Sequence, residues 1–166
     1  MMQLWVNLPR KDKTAAPAYQ PITAAQIPRV ELADDAGAVR VIAGAYDDAR
    51  GPARTFTPMS MLDVTLSAGG RLPVELPRGH NAMAVVVAGR VHAGGETARA
   101  GELLLFAHDG ERLELIADEK SHVLILAGEP IDEPVVQYGP FVMNSFEEIR
   151  QAVTDVNAGR FGPIPD

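Results

Sequence analysis

The 166-residue sequence contains no cysteine, which excludes disulfide bridges, a thiolate nucleophile and a cysteine-ligated metal. Basic residues are scarce as well, since 15 Lys and Arg stand against 22 Asp and Glu and the net charge is −7 at pH 7. Because such a charge repels a phosphate backbone, direct binding to nucleic acid is disfavoured.

Long apolar runs are also missing, and none approaches the ~20 residues of a membrane-spanning helix. The first residues lack the basic stretch of an export signal, so the sequence predicts a cytoplasmic protein without a membrane partner. A chain of this length supports one domain that buries roughly 70% of its unfolded surface. Its 15 Gly and 13 Pro indicate many turns and few helices.

Most of the chain has the pattern of short strands separated by turn signals. The predicted strands cover residues 39–43, 59–66, 82–88, 89–92, 102–106, 111–117 and 122–127. Gly, Pro and Asp-Gly signals recur between them at roughly 10-residue intervals, which is typical of antiparallel sandwiches and barrels. We therefore predict a mainly β fold, a single antiparallel β-barrel of the jelly-roll type.

The two ends of the chain differ from this body. Residues 3–8 alternate like a short strand, and a Pro-rich extended connector follows. Near the other end Asn144 is the predicted N-cap of a helix of about 13 residues that Gly159 terminates. The predicted divisions are an arm over 1–56, a barrel over 57–143, and a helix with its tail over 144–166.

The barrel segment follows the spacing of the cupin metal motifs but not their chemistry. Between Gly70 and Gly89 the metal-ligand positions of the first motif hold Leu76, Arg78 and Ala82, and the last ligand position of the second motif holds Arg112 or, in a shifted register, Leu113. Leu and Ala have no lone pair to donate, and a guanidinium repels a divalent cation. The sequence thus predicts a cupin-like barrel with vacant ligand positions and no metal.

The four histidines suggest no alternative centre. His80 and His92 lie at turns, His108 adjoins Asp109 in an Asp-Gly turn, and His122 opens a strand. Neighbouring residues in a strand point apart, so sequence adjacency alone does not make a catalytic pair. The nucleophile motif G-x-S-x-G is absent, and we predict no catalytic residue.

Three stretches resemble the pirin family and together frame nearly the whole chain. They are residues 3–9 (QLWVNLP), residues 126–144 (LAGEPIDEPVVQYGPFVMN), and residues 147–152 (EEIRQA) with 159–162 (GRFG). The resemblance implies a bicupin in which an N-terminal cupin holds iron and a C-terminal cupin has lost its metal. Some bacterial pirins resemble quercetin 2,3-dioxygenases, and the vertebrate member acts with iron as a cofactor of nuclear transcription factors.

The resemblance also implies that this sequence corresponds to the C-terminal half, so any iron would belong to the N-terminal cupin and no cofactor is expected here. The feature that the resemblance does imply for this chain is a docking surface. Its expected members are Trp5, Val6 and Leu8 from the arm, Tyr138, Pro140 and Phe141 from the signature, and Phe146, Ile149 and Val153 from the helix. An apolar patch of this kind needs cover, which favours a homodimer or a separate N-terminal-type cupin as partner.

Three functions remain open at this point. The leading one is a non-catalytic interaction or regulatory module. The second is part of a quercetin 2,3-dioxygenase-type enzyme whose iron site comes from a missing N-terminal half or from another chain. The third is a metal-free binder of a small ligand, which would use polar groups inside the barrel, with Arg78, Arg112, Glu114 and His122 as the candidates.

Overall fold

A computed structural model describes residues 2–162 of the chain. Within that range the fold is mainly β, with one α-helix. The strands are β1 Arg29–Glu31, β2 Gly37–Ala43, β3 Ala45–Tyr46, β4 Ala49–Arg50, β5 Met59–Leu66, β6 Arg71–Glu75, β7 Asn81–Ala88, β8 Arg90–Ala93, β9 Glu96–Arg99, β10 Leu103–Phe106, β11 Arg112–Ala117, β12 Ser121–Gly128, β13 Val136–Tyr138 and β14 Phe141–Met143. The helix α1 covers Phe146–Asn157, and short 3-10 turns cover Arg10–Asp12, Ala24–Gln26 and Ala33–Asp35.

The chain forms two compact units. Unit 1 joins the two ends of the chain, up to residue 20 and from residue 131, and contains β13, β14 and α1. Unit 2 covers residues 21–130 and contains β1 to β12.

Unit 2 is a β-sandwich whose strand pairs are all antiparallel. One sheet has the order β1-β2-β5-β12-β7-β10, and the other has the order β6-β11-β8-β9. Alternate side chains of each strand enter the core, as Leu62, Val64 and Leu66 do from β5 and Leu113 and Leu115 do from β11. This arrangement confirms the predicted mainly β, jelly-roll cupin fold, with its strands in two sheets rather than in a closed barrel.

The strand predictions agree closely with the structure where the apolar alternation is strong. β5 begins and ends where the sequence predicts, and the other six predicted strands differ by one or two residues at their ends. The sequence did not lead to a prediction of seven further strands of the described chain, namely β1, β3, β4, β6, β9, β13 and β14. Of these, β6 contains Pro73. β6 lies at the edge of its sheet, where proline is tolerated.

The predicted strand at residues 3–8 is wrong, because the structure assigns no strand to residues 2–9. Alternation of apolar residues makes an extended segment compatible with a sheet but does not supply a partner strand. Hydrogen bonds from Arg10 to Glu133 and Glu148 hold the arm instead.

The C-terminal helix forms as predicted, with one correction at its start. Its N-cap is Ser145 rather than Asn144, because the Ser145 hydroxyl accepts a hydrogen bond from the backbone N–H of Glu148 at 3.2 Å. Ile149 and Ala152 are buried on the face that packs against the β13–β14 hairpin. Among residues 2–162, no helix is both long and apolar enough to cross a membrane.

Candidate functional site

The vacant ligand positions lie at one end of the sandwich in unit 2. Leu76, Ala82 and Arg112 line a small cavity of about 170 Å3, whereas Arg78, exposed in the turn before β7, is not among its lining residues. Leu76 packs against the hydrophobic core, and Ala82 is 5% exposed. The fold therefore brings three of the four positions together around one opening.

A metal held at these positions is at odds with the side chains that occupy them. Leu76 and Ala82 donate no lone pair, and the Arg112 guanidinium is a fixed cation. Elsewhere in residues 2–162, no group of three or more His, Asp or Glu side chains is arranged to hold a metal ion. Iron, the metal that the family resemblance implies for the other cupin half, does not fit the residues present here.

His80 is the functional candidate that the sequence reasoning undervalued. It lines the same small cavity, and its Nδ1 atom is buried without a hydrogen-bond partner among the described residues. An unpaired buried nitrogen costs free energy, so it is a ready partner for a polar atom that enters the cavity. Its position in a Gly-His turn gave no signal of this, because burial depends on strands distant in sequence.

Two of the polar groups predicted to converge inside the barrel point away from the core, which corrects that prediction. Glu114 lies between the buried Leu113 and Leu115, so the alternation of β11 turns it outward, where it pairs with Arg71 at 3.4 Å. His122 precedes the buried Val123 in β12 and is directed to the outer face as well.

The outward His122 belongs to a charged cluster that spans three neighbouring strands. Its Nε2 atom lies 2.6 Å from Asp63 Oδ1, and the Arg40 guanidinium donates to Asp63 Oδ2 at 2.8 Å. Asp63 thus connects β2, β5 and β12 across the outer face of the larger sheet. Both carboxylate oxygens of Asp63 have a partner in the cluster, which therefore links the three strands.

A wider groove of about 860 Å3 lies beside the edge strand β6. Tyr46, Arg71 and Arg112 line it, together with three aspartates in left-handed backbone conformations, Asp34, Asp35 and Asp47. Burial raises the pKa of the Tyr46 hydroxyl, and the neighbouring Asp47 carboxylate adds to the effect. The phenol is therefore neutral at physiological pH and serves as a hydrogen-bonding group.

Unit 1 is held together by a network that we call the arm clamp, formed by Arg10, Glu133, Asn144 and Glu148. The Arg10 backbone N–H donates to Glu133 at 2.7 Å, and its guanidinium Nε donates to Glu148 at 2.7 Å. Asn144 donates its side-chain amide to Glu133 and its backbone N–H to Glu148. The hydrogen bond from Arg10, followed by that from Asn144, lowers the pKa of Glu148.

Unit 1 also carries most of the exposed aromatic side chains of the described chain. Trp5 is 73% exposed, Tyr138 67% and Phe146 68%. Of the other expected docking residues, Val6 and Pro140 are exposed, and Leu8, Phe141 and Val153 are half-buried. Ile149 differs from them because it is buried within unit 1, where it packs the helix onto its hairpin.

Comparison with known proteins gives a consistent family assignment. The sequence matches the Pirin C-terminal cupin domain over residues 61–162. It is 50% identical over 161 residues to a Pseudomonas aeruginosa protein whose name provisionally assigns quercetin 2,3-dioxygenase activity, covering 97% of this chain and 56% of that protein. It is 36% identical to mouse pirin, over 97% of this chain and 57% of that protein.

Among solved structures, a quercetin 2,3-dioxygenase from Acinetobacter baumannii superposes with a TM-score of 0.91 at 38% identity. That match covers 97% of this chain and 56% of the other. The chain thus spans a little over half the length of the relatives it matches.

Proposed function

The chain belongs to the pirin family, and we propose that it is a metal-free C-terminal cupin that acts as a non-catalytic interaction or regulatory module. In this proposal it is cytoplasmic, needs no cofactor and does not bind nucleic acid directly. The partner is another polypeptide, either a second copy or a separate N-terminal-type cupin.

The observation that carries the proposal is the exposed aromatic surface of unit 1. Trp5, Tyr138 and Phe146 expose two thirds or more of their area. Large aromatic side chains in water are enriched at protein interfaces, where each buries much apolar area at little conformational cost. The arm clamp bonds Arg10, which follows Trp5 in the arm, to Glu133 in the segment that contains Tyr138 and to Glu148 in the helix that contains Phe146.

The vacant cupin positions support the non-catalytic part of the proposal. Leu76, Ala82 and Arg112, at the ligand positions of the cupin motifs, line one small cavity, and none of their side chains is a metal ligand or a general base. The family fold is retained while the chemistry at its centre is replaced by packing.

A binding experiment tests the docking surface. The purified chain is mixed with an N-terminal-type cupin prepared from the P. aeruginosa relative, and the complex is measured by light scattering after size-exclusion chromatography. We expect a complex that Trp5→Ala and Tyr138→Ala each weaken about tenfold or more, since truncation of a buried aromatic anchor costs upward of 2 kcal/mol.

The matched control is Tyr19→Ala, which removes an equally exposed aromatic, 72% exposed, outside the predicted docking set. If neither the second cupin nor a second copy binds through Trp5 and Tyr138, the proposed docking surface is wrong.

The names of the relatives favour a second candidate, part of a quercetin 2,3-dioxygenase-type enzyme whose iron lies in another cupin. The purified chain is exposed to ferrous iron, then analysed for bound metal and assayed for quercetin turnover. Stoichiometric iron with turnover by this chain alone would establish catalysis here and overturn the leading proposal. Turnover that appears only with the N-terminal-type cupin would assign this chain an accessory part in the enzyme.

The small cavity favours a third candidate, a metal-free binder of a small ligand. His80 offers an unpaired buried nitrogen, and Leu76, Ala82 and Phe106 supply apolar walls. A chemical-shift screen of small hydroxylated compounds tests this candidate. Saturable shifts confined to the cavity residues, and lost in His80→Phe, would support it.

A further inference from the structure

The free edge of the larger sheet in unit 2 carries an exposed apolar strand that the docking surface of unit 1 does not include. β10 is the last strand in the order β1-β2-β5-β12-β7-β10, and within the described chain it pairs only with β7. Leu105 is 72% exposed and Leu103 54%. An uncharged, apolar edge strand of this kind is a template for pairing with another chain.

The backbone of β10 is oriented for such pairing. Val86 of β7 donates its N–H to the Glu102 carbonyl at 2.9 Å and accepts the Gly101 N–H at 2.9 Å. Bonded and non-bonded positions alternate along an antiparallel ladder, so Leu104 and Phe106 direct their N–H and C=O groups toward β7. Leu103 and Leu105 therefore direct theirs to the open edge.

The side chains next to this edge form a continuous apolar surface on the outer face of the sheet. Leu105 lies beside Met83, which lies beside Leu126 on β12. In the neighbouring row Leu103, Val85 and Leu124 follow the same path. The second row becomes polar at β5 and β2, where Asp63 and Arg40 begin the charged cluster, whereas the first row continues to Met61 on β5.

We propose that β10 pairs with β10 of a second copy around a two-fold axis at Leu104, and so joins two sheets into one. Leu103 of each copy then lies opposite Leu105 of the other, and their edge-facing groups exchange four backbone hydrogen bonds. The exposed leucines of both copies meet on the outer face, where they continue the rows that begin at Met83 and Val85.

Two features of the sequence favour a second copy of this chain as the partner that pairs with the free edge of β10. β10 is self-complementary, because its three leucines are symmetric about Leu104. When two copies pair around Leu104, Leu103 of each copy lies opposite Leu105 of the other, so leucine faces leucine at each edge-facing position. No like charges face each other within this register. Glu102, just before β10, lies opposite the uncharged Phe106 of the other copy.

The first test is light scattering of the full chain at high micromolar concentration, where we expect twice the 17.8 kDa chain mass. Leu105→Pro removes an edge-facing N–H without touching the β7 ladder, so it is compatible with an edge strand. It deletes one hydrogen bond per copy from the dimer and should raise the dissociation constant roughly 30-fold.

The matched control is Glu31→Pro. Leu32 donates to Gly37 across the β1–β2 ladder, so Glu31 directs its N–H to the opposite free edge of the same sheet. The dimer should tolerate this change. Leu103→Lys, which places an exposed charge in the apolar row, provides a second disrupting variant that does not depend on proline being accommodated.

The second test uses the absence of native cysteine. In the proposed register Leu103 and Leu105 of different copies have Cα atoms about 5.5 Å apart, within disulfide range, whereas like positions lie on a diagonal beyond 7 Å. Mixed Leu103→Cys and Leu105→Cys chains should form a disulfide-linked dimer under mild oxidation. Each variant alone should not.

The outcomes separate this inference from the docking proposal. A chain that is monomeric at high micromolar concentration, or a dimer that survives both Leu105→Pro and Leu103→Lys, overturns the β10 interface. A dimer that is lost in Trp5→Ala but retained in those two variants assigns self-association to unit 1 instead. Loss in the β10 variants alone, with disulfides only in the mixture, supports the inference whether or not unit 1 binds a second cupin.

Discussion

At the scale of single residues, the arm clamp depends on two carboxylates that have direct hydrogen-bond donors. Glu148 accepts from Arg10 and from the Asn144 backbone, and Glu133 accepts from the Arg10 backbone and the Asn144 side chain. Arg10 is 123 residues from Glu133 and 138 residues from Glu148 in the sequence. Neither end of the chain reveals this pairing by its local pattern.

The pKa of Glu148 is lower in the folded protein than in the unfolded chain. The ionised Glu148 carboxylate therefore stabilises the fold at pH values above the ordinary pKa of glutamate, which is about 4. That contribution is lost as pH falls through the lowered pKa. We expect the NMR signals of the Arg10 side chain and of the arm amides to shift toward unfolded values in acid, with a midpoint below the ordinary pKa range of glutamate.

In Glu148→Gln the amide still accepts a hydrogen bond but does not titrate, so this acid transition should disappear. Glu147→Gln, on the exposed side of the same turn, is the control and should retain it. A transition of unchanged midpoint in Glu148→Gln would show that another group holds the arm.

At the scale of elements, the ends of helix α1 illustrate what a local pattern can specify. The acidic first turn and the glycine beyond the last turn predict the helix within a few residues. The choice between Asn144 and Ser145 as N-cap is not local. The Asn144 side-chain nitrogen donates to Glu133 and to the Pro134 carbonyl, and its Oδ1 atom, which a cap would use, accepts no hydrogen bond from the described residues. Ser145 is left to cap the Glu148 N–H.

Ser145→Ala should therefore weaken α1 by about 1 kcal/mol, the usual cost of removing an N-cap hydroxyl. Hydrogen exchange of the first-turn amides, followed by NMR, measures this change where it occurs. Thr154→Ala is the matched control, since the Thr154 hydroxyl bonds only to the Arg150 carbonyl four residues earlier in the helix. Equal effects of the two substitutions on the first turn would rule out a capping role for Ser145.

At the scale of the whole molecule, net charge opposes self-association. The chain carries −7 at pH 7 and has a pI near 5.1, so two copies repel each other in neutral buffer of low salt. This repulsion acts between whole molecules and is independent of which strands meet.

The dissociation constant of the β10 dimer should consequently fall severalfold between pH 7 and pH 5.5 at low ionic strength. Added salt at pH 7 should act in the same direction, because it screens the same repulsion. Sedimentation equilibrium across the two series measures both effects. An affinity that weakens with salt would mean that ion pairs, rather than the apolar strand, dominate the contact.

The amino-acid sequence by itself determined the strand-rich fold, the bounds of seven of the fourteen described strands to within two residues, the C-terminal helix and the absence of metal-ligating side chains at Leu76, Ala82 and Arg112. These properties follow from local alternation, turn chemistry and side-chain identity. Only the tertiary structure decided that β10 is a free edge, that His122 faces outward to Asp63, that the Nδ1 atom of His80 is buried, and that the arm is clamped rather than paired as a strand. Each of these depends on which distant segments become neighbours, and strand order and burial arise from the whole fold.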